Sequence, residues 1–213
     1  MKTLRPTLAA SLLVATLTVA AADRGKPIKL TDGKTFAGWV GDTNKTWRIV
    51  DGAFVGGTLD AKVPRNEFLR SERAFTNFVL RVKFRLVGTE GFVNGGVQIR
   101  SQPALQPPNE MVGYQCDIGD GWWGAIYDET RRNKVLVKPD AGAVAKAVKK
   151  GEWNEYEIRA EGRRIRTSIN GVAMVDYTEP DDSIPQHGLL GLQVHGGGKT
   201  EMSYKDITVE ELP

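Results

Sequence analysis

The sequence holds one cysteine, Cys116, and two histidines, His187 and His195. One thiol excludes an internal disulfide. So few imidazoles and thiols exclude a zinc site built from several of them. No G-x-S-x-G stretch is present, so no nucleophile elbow marks a serine hydrolase. No basic run alternates with aromatics, and the formal charge is only +3, so nothing points to a nucleic-acid partner. Helical periodicity is nearly absent. Only Ala141 to Lys150 reads as helix-like, and it is short and Lys-rich, so a loop with one helical turn is expected there. After the N-terminal segment, no apolar run approaches the roughly 20 residues a membrane span requires.

What is present begins with that N-terminal segment. Lys2 and Arg5 precede an uncharged stretch from Thr7 to Val19, which ends in Ala20-Ala21-Ala22. This is the pattern of a cleavable export signal over residues 1–22, and it predicts a periplasmic or extracellular protein. Losing it removes two positive charges and no acid, so much of the apparent basicity belongs to the leader. Residues 23–213 then form a length suited to one domain.

The remainder reads as short strands. Phe78, Leu80, Val82, Phe84 and Leu86 alternate with Val79, Arg81, Lys83 and Arg85, which is the period of a half-buried strand. Asp51-Gly52 and Asn170-Gly171 mark hairpins flanked by further strand-like segments. Leu190, Leu192 and Val194 form another buried face, and Tyr204 to Glu210 reads as a closing strand. Many strands with tight turns and no βαβ spacing predict an all-β, two-sheet jelly-roll sandwich.

Three of these segments share an unusual pattern. Gln98 and Arg100 fall on one side of a strand whose other side is Val97 and Ile99. Gln115 and Asp117 oppose Tyr114, Cys116 and Ile118, and Gln193 and His195 oppose Leu192 and Val194. If the strands are neighbours, their polar sides merge into an amide ladder beside a cation, an acid and an imidazole. Paired amides and charges, with aromatic rings against C–H faces, are how sugars are held. Trp122 and Trp123 in the following glycine-rich loop are candidate stacking platforms, only one of which can face the site if the loop is extended. Tyr127, Asp128, Glu129, Arg131 and Arg132 come next, supplying candidate acids and a candidate arginine clamp. His195 precedes Gly196-Gly197-Gly198, where backbone can approach a ligand, and imidazole is the common base near neutral pH.

Several segments together carry a family resemblance. Leu30-Thr31-Asp32-Gly33-Lys34-Thr35-Phe36-Ala37-Gly38-Trp39, Asn66-Glu67-Phe68-Leu69 and Asn94-Gly95-Gly96-Val97-Gln98-Ile99-Arg100-Ser101 come first. Gly113-Tyr114-Gln115, Gly124-Ala125-Ile126-Tyr127-Asp128-Glu129, Trp153-Asn154-Glu155-Tyr156, Asn170-Gly171 and Gly191-Leu192-Gln193-Val194-His195 follow in order. The set resembles the 3-keto-disaccharide hydrolase family from about Ile28 to Leu212. The resemblance implies a concanavalin A-like jelly roll. It also implies cleavage of a carbohydrate substrate whose C3 hydroxyl a sugar 3-dehydrogenase has already oxidised.

Such a reaction needs a base, an enolate stabiliser and an acid. The catalytic candidates are His195 or Asp117 as base, Arg100 or a divalent metal ion as stabiliser, and Glu129 as acid. Gln98, Gln115, Gln193, Tyr127, Trp122, Trp123 and Arg131 are the substrate-binding candidates. The family pattern tends to have Glu at the position of Gln115 and Gln at that of Asp117, so acid and amide are exchanged here. Three other readings stand beside this one: a carbohydrate-binding module without catalysis, a structural interaction domain, and a retaining glucanase. The last needs two carboxyls about 5–5.5 Å apart, and no E-x-D-x-x-E-like run supplies them.

Overall fold

The computed structural model describes residues 25–213, and the expected export signal at residues 1–22 lies outside the described residues. Period-two segments dominate the chain, and they pair into two antiparallel sheets. The first sheet runs in the order β13 (Val172–Thr178), β12 (Arg164–Ile169), β11 (Asn154–Glu161), β6 (Phe78–Gly91), β15 (Gly198–Glu211), β4 (Ala53–Thr58) and β3 (Trp47–Val50). β1 (Ile28–Lys29) adds to it against β15. The second runs β10 (Lys134–Val137), β9 (Ile126–Glu129), β8 (Met111–Gly119), β7 (Asn94–Pro103), β14 (Gly188–Val194), β5 (Glu67–Phe75) and β2 (Trp39–Val40).

This is the expected jelly roll. Its core lies between the sheets, where Leu80, Val82 and Phe84 of β6 share one apolar cluster with Val97 and Ile99 of β7, Cys116 and Ile118 of β8, and Leu192 and Val194 of β14. The alternation seen in the sequence thus sends one side of β7, β8 and β14 into the core and leaves their polar side on the opposite face. Tyr204 of β15 spans the layers: its hydroxyl lies 2.9 Å from Gly96 O and 2.7 Å from Gln193 O, tying the two site-bearing strands to the first sheet.

The segment expected to be a loop with one helical turn is instead a two-turn helix, α1 (Ala141–Ala147). Asp140 caps it, its carboxylate accepting from Gly142 N at 2.8 Å and Ala143 N at 3.2 Å. Ala147 is buried, and Ala143 and Val144 pack against the core, so tertiary contact stabilises a helix too short to persist alone.

Candidate active site

The site grows from the pairing of β7, β8 and β14. Gln98 stands opposite both Gln115 and Gly191, while Gly96 stands opposite both Asp117 and Gln193. The polar side chains therefore alternate across the strands with glycines. Gly96 has no Cβ, and Gln115 crosses the space this leaves; a Cβ there would lie 2.8 Å from Gln115 Cγ and 2.9 Å from Cδ. Having crossed, Gln115 Nε2 donates to Asp117 Oδ1 at 2.9 Å and to Gln193 Oε1 at 3.1 Å. Gln115 Oε1 accepts from Gln98 Nε2 at 3.0 Å, and Gln98 Oε1 accepts from Ser101 Oγ at 2.5 Å. The ladder is polarised, with each amide's oxygen toward Ser101 and each donor toward Asp117. Gln98, Gln115, Asp117 and Gln193 are all at most 3% exposed.

The ladder opens into a small pocket beside Asp117, lined by Phe92, Asn94, Gln115, Asp117, Trp122, Tyr127, Glu129 and His195. Its volume of about 130 Å³ falls below the roughly 300–1,000 Å³ of sites for drug-sized ligands, which suits one sugar ring better than an extended chain. Three aromatic rings form its wall. Phe92 meets Trp122 edge-on at 6.4 Å between centroids and His195 at 4.6 Å, and Trp122 meets Tyr127 edge-on at 5.9 Å.

Burial sets the charge states. Desolvation pushes Asp117 up to about 8, with a smaller push from the nearby Glu129, and the Gln115 hydrogen bond opposes both. Asp117 Oδ2 is buried with no hydrogen-bond partner among the described residues, so the charged form has a bare oxygen and the acid is the stable state at neutral pH. Glu129 is pushed to about 7, again first by burial and then by Glu110 and Asp128. Burial lowers His195 below its ordinary 6.5 and keeps the imidazole neutral. His195 Nδ1 lies 2.7 Å from Gly196 O. In the neutral ring this makes Nδ1 the N–H donor and leaves the lone pair on Nε2.

Of the residues singled out in the sequence, Gln115, Asp117, Trp122, Tyr127, Glu129 and His195 meet in this pocket. Gln98 and Gln193 are ladder members behind it. Arg100 does not reach it. The pairing of β7 with β8 shifts between Ile99 and Gln102, and Arg100 has φ 50°. This bulge breaks the alternation with Gln98. The guanidinium instead donates to Thr76 O at 2.8 Å, and to Gly162 O and Gln186 Oε1 at 2.6 Å each.

Arg131 also stays outside the pocket, donating through Nε to Asp128 Oδ1 at 2.9 Å with its guanidinium over the Tyr114 ring. Arg132 joins the same network, donating to Glu179 Oε2 at 2.7 Å. Of the two tryptophans, Trp123 is a core residue stacked on Phe84 at 6.4 Å, its Nε1 donating to Asp120 Oδ1 at 2.8 Å. Among the described residues, no three His, Cys, Asp or Glu side chains converge into a metal-binding set.

Phe92 and Asn94 are pocket residues that the sequence reading did not single out. Asn94 was legible, since it shares the period-two side of Gln98. Phe92 carried no such signal, because its place depends on how the β6–β7 turn packs.

Buried amides and acids at the mouth of a jelly-roll sheet, walled by aromatics, define a carbohydrate-type sandwich. The chain belongs to the family of 3-keto-alpha-glucoside-1,2-lyase-like domains, which it matches over residues 26–210. No curated protein sequence matches it detectably. Among solved structures, a candidate glycosyl hydrolase from Parabacteroides distasonis is 19% identical, with a TM-score of 0.64 over 89% of this chain and 94% of that one. Carbohydrate-binding module CBM66 from Bacillus subtilis is 15% identical, with a TM-score of 0.61 over 82% and 96%. A legume lectin-like domain from Entamoeba histolytica is 11% identical, with a TM-score of 0.54 over 82% and 89%. At these identities the likeness is one of fold.

Two predictions follow from the ladder. Gly96→Ala forces a methyl into Gln115 and should lower the unfolding free energy in urea by about 1–3 kcal/mol; equal or greater stability would show that Gln115 does not occupy the gap. Asp117→Asn concerns pH. The folded carboxyl holds its proton up to about 8, whereas the ordinary value is 3.8. Native stability therefore falls as pH rises between those values. Asparagine has no proton to lose, so the variant should melt with the wild type near pH 4 and gain on the order of 5 kcal/mol over it at pH 8. Parallel melting curves at both pH values would mean that Asp117 is ionised in the fold.

Proposed function

We propose that the protein cleaves 3-keto-glycosides by elimination and hydration. The observation that carries this reading is the meeting of His195, Asp117 and Glu129, an imidazole and two carboxyls whose burial favours their uncharged forms, in one aromatic-walled pocket. A ketone at C3 acidifies the C2 hydrogen. His195 Nε2 takes that proton, and the electron pair moves into an enolate whose negative charge rests on the C3 oxygen. Protonated Asp117 donates to this oxygen, as a neutral carboxylic acid in an apolar site is suited to do. The pair then returns, the C1–O bond breaks, and Glu129 gives its proton to the departing oxygen. The resulting C1=C2 enone adds water at C1, with His195 and Glu129 restored, so the net change is hydrolysis of the glycosidic bond.

The family match and the carbohydrate-type fold support the substrate class. Export to the periplasm or beyond, and supply of the keto-sugar by a sugar 3-dehydrogenase, belong to the same proposal. The binding-module reading shares the aromatic wall and the ladder, and it predicts affinity for a sugar without turnover.

The test is turnover of a 3-keto-glucoside beside the unoxidised glucoside, each with and without a chelator. Cleavage of the keto form alone is expected. Cleavage of neither, with measurable sugar binding, would replace the enzyme with the binding module. His195→Ala should lower kcat/KM by roughly 10²–10⁴-fold, the usual scale of general acid–base catalysis. The pH profile should rise through the lowered pKa of His195 and fall above about 7 as Glu129 loses its proton. Glu129→Gln should move the alkaline limb from about 7 to about 8, where Asp117 loses its proton, and cost least with a 4-nitrophenyl leaving group, which departs without a proton. An unchanged limb in that variant would reassign the acid.

A further inference from the structure

Asn66 lies in the connection between β4 and β5 and does not line the pocket, yet its side chain joins two segments that do bear on it. Its Oδ1 accepts from Gly196 N at 3.0 Å, and its Nδ2 donates to Glu110 Oε1 at 3.0 Å. Asn109 Nδ2 also donates to Asn66 O at 2.9 Å. Gly196 is the residue whose carbonyl meets His195 Nδ1 at 2.7 Å. The glycine is pressed against the neighbouring backbone, since a Cβ on it would lie 2.6 Å from Arg65 Cα. The following peptide is held as well, Gly197 N donating to Val63 O at 2.7 Å and Val63 N to Gly198 O at 2.9 Å. Both peptide planes flanking Gly196 are thus fixed, one by the backbone of Val63 and the other by the Asn66 side chain.

Glu110 closes the arrangement from the other side. It immediately precedes β8, the strand that carries Gln115 and Asp117. By accepting from Nδ2 it settles which way round the Asn66 amide sits, with the oxygen toward Gly196. Its second oxygen, Oε2, is buried with no partner among the described residues. A buried, half-satisfied carboxyl costs stability unless something offsets it, and the chain retains one here.

We propose that Asn66, oriented by Glu110, is a positioning residue: it anchors the peptide joining His195 to Gly196 through Gly196 N, so that the Gly196 carbonyl, whose own peptide plane Val63 holds, stays against His195 Nδ1 and fixes the imidazole with its lone pair on Nε2. The inference rests on His195 being the base of the reaction above. Its physical basis is general: the hydrogen bond made by one ring nitrogen of a histidine decides which tautomer the other presents. Neither Asn66 nor Glu110 touches the reacting atoms.

The test reads the imidazole itself. In a His187→Gln background His195 is the sole histidine, so ¹⁵N shifts of one ring give tautomer and pKa without substrate. The parent should show Nδ1–H as the dominant neutral form. Asn66→Ser and Glu110→Ala should shift the population toward Nε2–H and lower the ring's pKa further, because the Gly196 carbonyl favours the charged ring. Glu110→Gln, which keeps an acceptor at Oε1, should restore the parent pattern. On a 3-keto-glucoside, Asn66→Ser should lower kcat about 10- to 100-fold with KM unchanged, the scale lost when a histidine's supporting partner is removed.

Parent-like ring shifts in folded Asn66→Ser would overturn the proposal. If that variant does not fold, the Glu110→Ala and Glu110→Gln pair makes the same decision, parent-like shifts in Glu110→Ala overturning it. Absence of keto-glycoside turnover would remove the catalytic reading while the ring shifts still reported whether Asn66 positions His195. Normal turnover in the parent with unmoved shifts in the variants would remove this inference alone.

Discussion

The hydrogen bonds that Gln115 makes across the gap at Gly96 are the constraint on which the site depends. A glutamine on one outer strand reaches a glutamine on the other only because the residue between them has no side chain. That crossing uses both Gln115 donors and aligns the ladder from Ser101 to Asp117. Tyr204 then anchors the backbone of the same two positions, Gly96 and Gln193, from the opposite sheet. A buried polar network of this kind is stable only when its members satisfy one another, and it then specifies a single arrangement. Among the described residues, Asp117 Oδ2 and Gln193 Nε2 are its buried atoms without a hydrogen-bond partner.

Burial of the ladder's Asp117 end has a chemical consequence. Two carboxyls and an imidazole in water would be two anions and a partly charged ring. Here desolvation favours the neutral form of each. In the proposed reaction, proton transfer would therefore start from neutral groups, and charge would develop only as the enolate, the imidazolium and the carboxylate form. The cost is stability: an acid held protonated against its ordinary pKa weakens the fold as pH rises. The site of the proposed chemistry is therefore also a site of local energetic compromise.

Among the described residues, no arginine or lysine lines the pocket. The cations that the sequence placed near it serve the frame instead. Arg100 ties β7 to loops at the far end of the sheet, and Arg131 and Arg132 neutralise the buried Asp128, with Arg132 also holding Glu179. Asp128 and Glu129 are adjacent on β9 and point oppositely, so the same short strand supplies an acid to the structural network and another to the pocket.

The sandwich, and the shared side of Gln115 with Asp117 and of Gln193 with His195, followed from the sequence because strand periodicity is local: each residue's side depends only on its neighbours. The same rule reached Asn94 in principle and failed at Arg100, since a bulge inserts a positive-φ residue that no alternation announces. Nor did local pattern separate Trp122 from Trp123, because in a turn the side taken by each ring is set by what packs against it. Which polar residues became buried ladder and which became pocket wall, the neutral state of the carboxyls, and the link from Asn66 to His195 were decided by tertiary structure alone. Each depends on strand order, desolvation or contacts between segments far apart in the chain, and none of these is a property of a residue and its sequence neighbours.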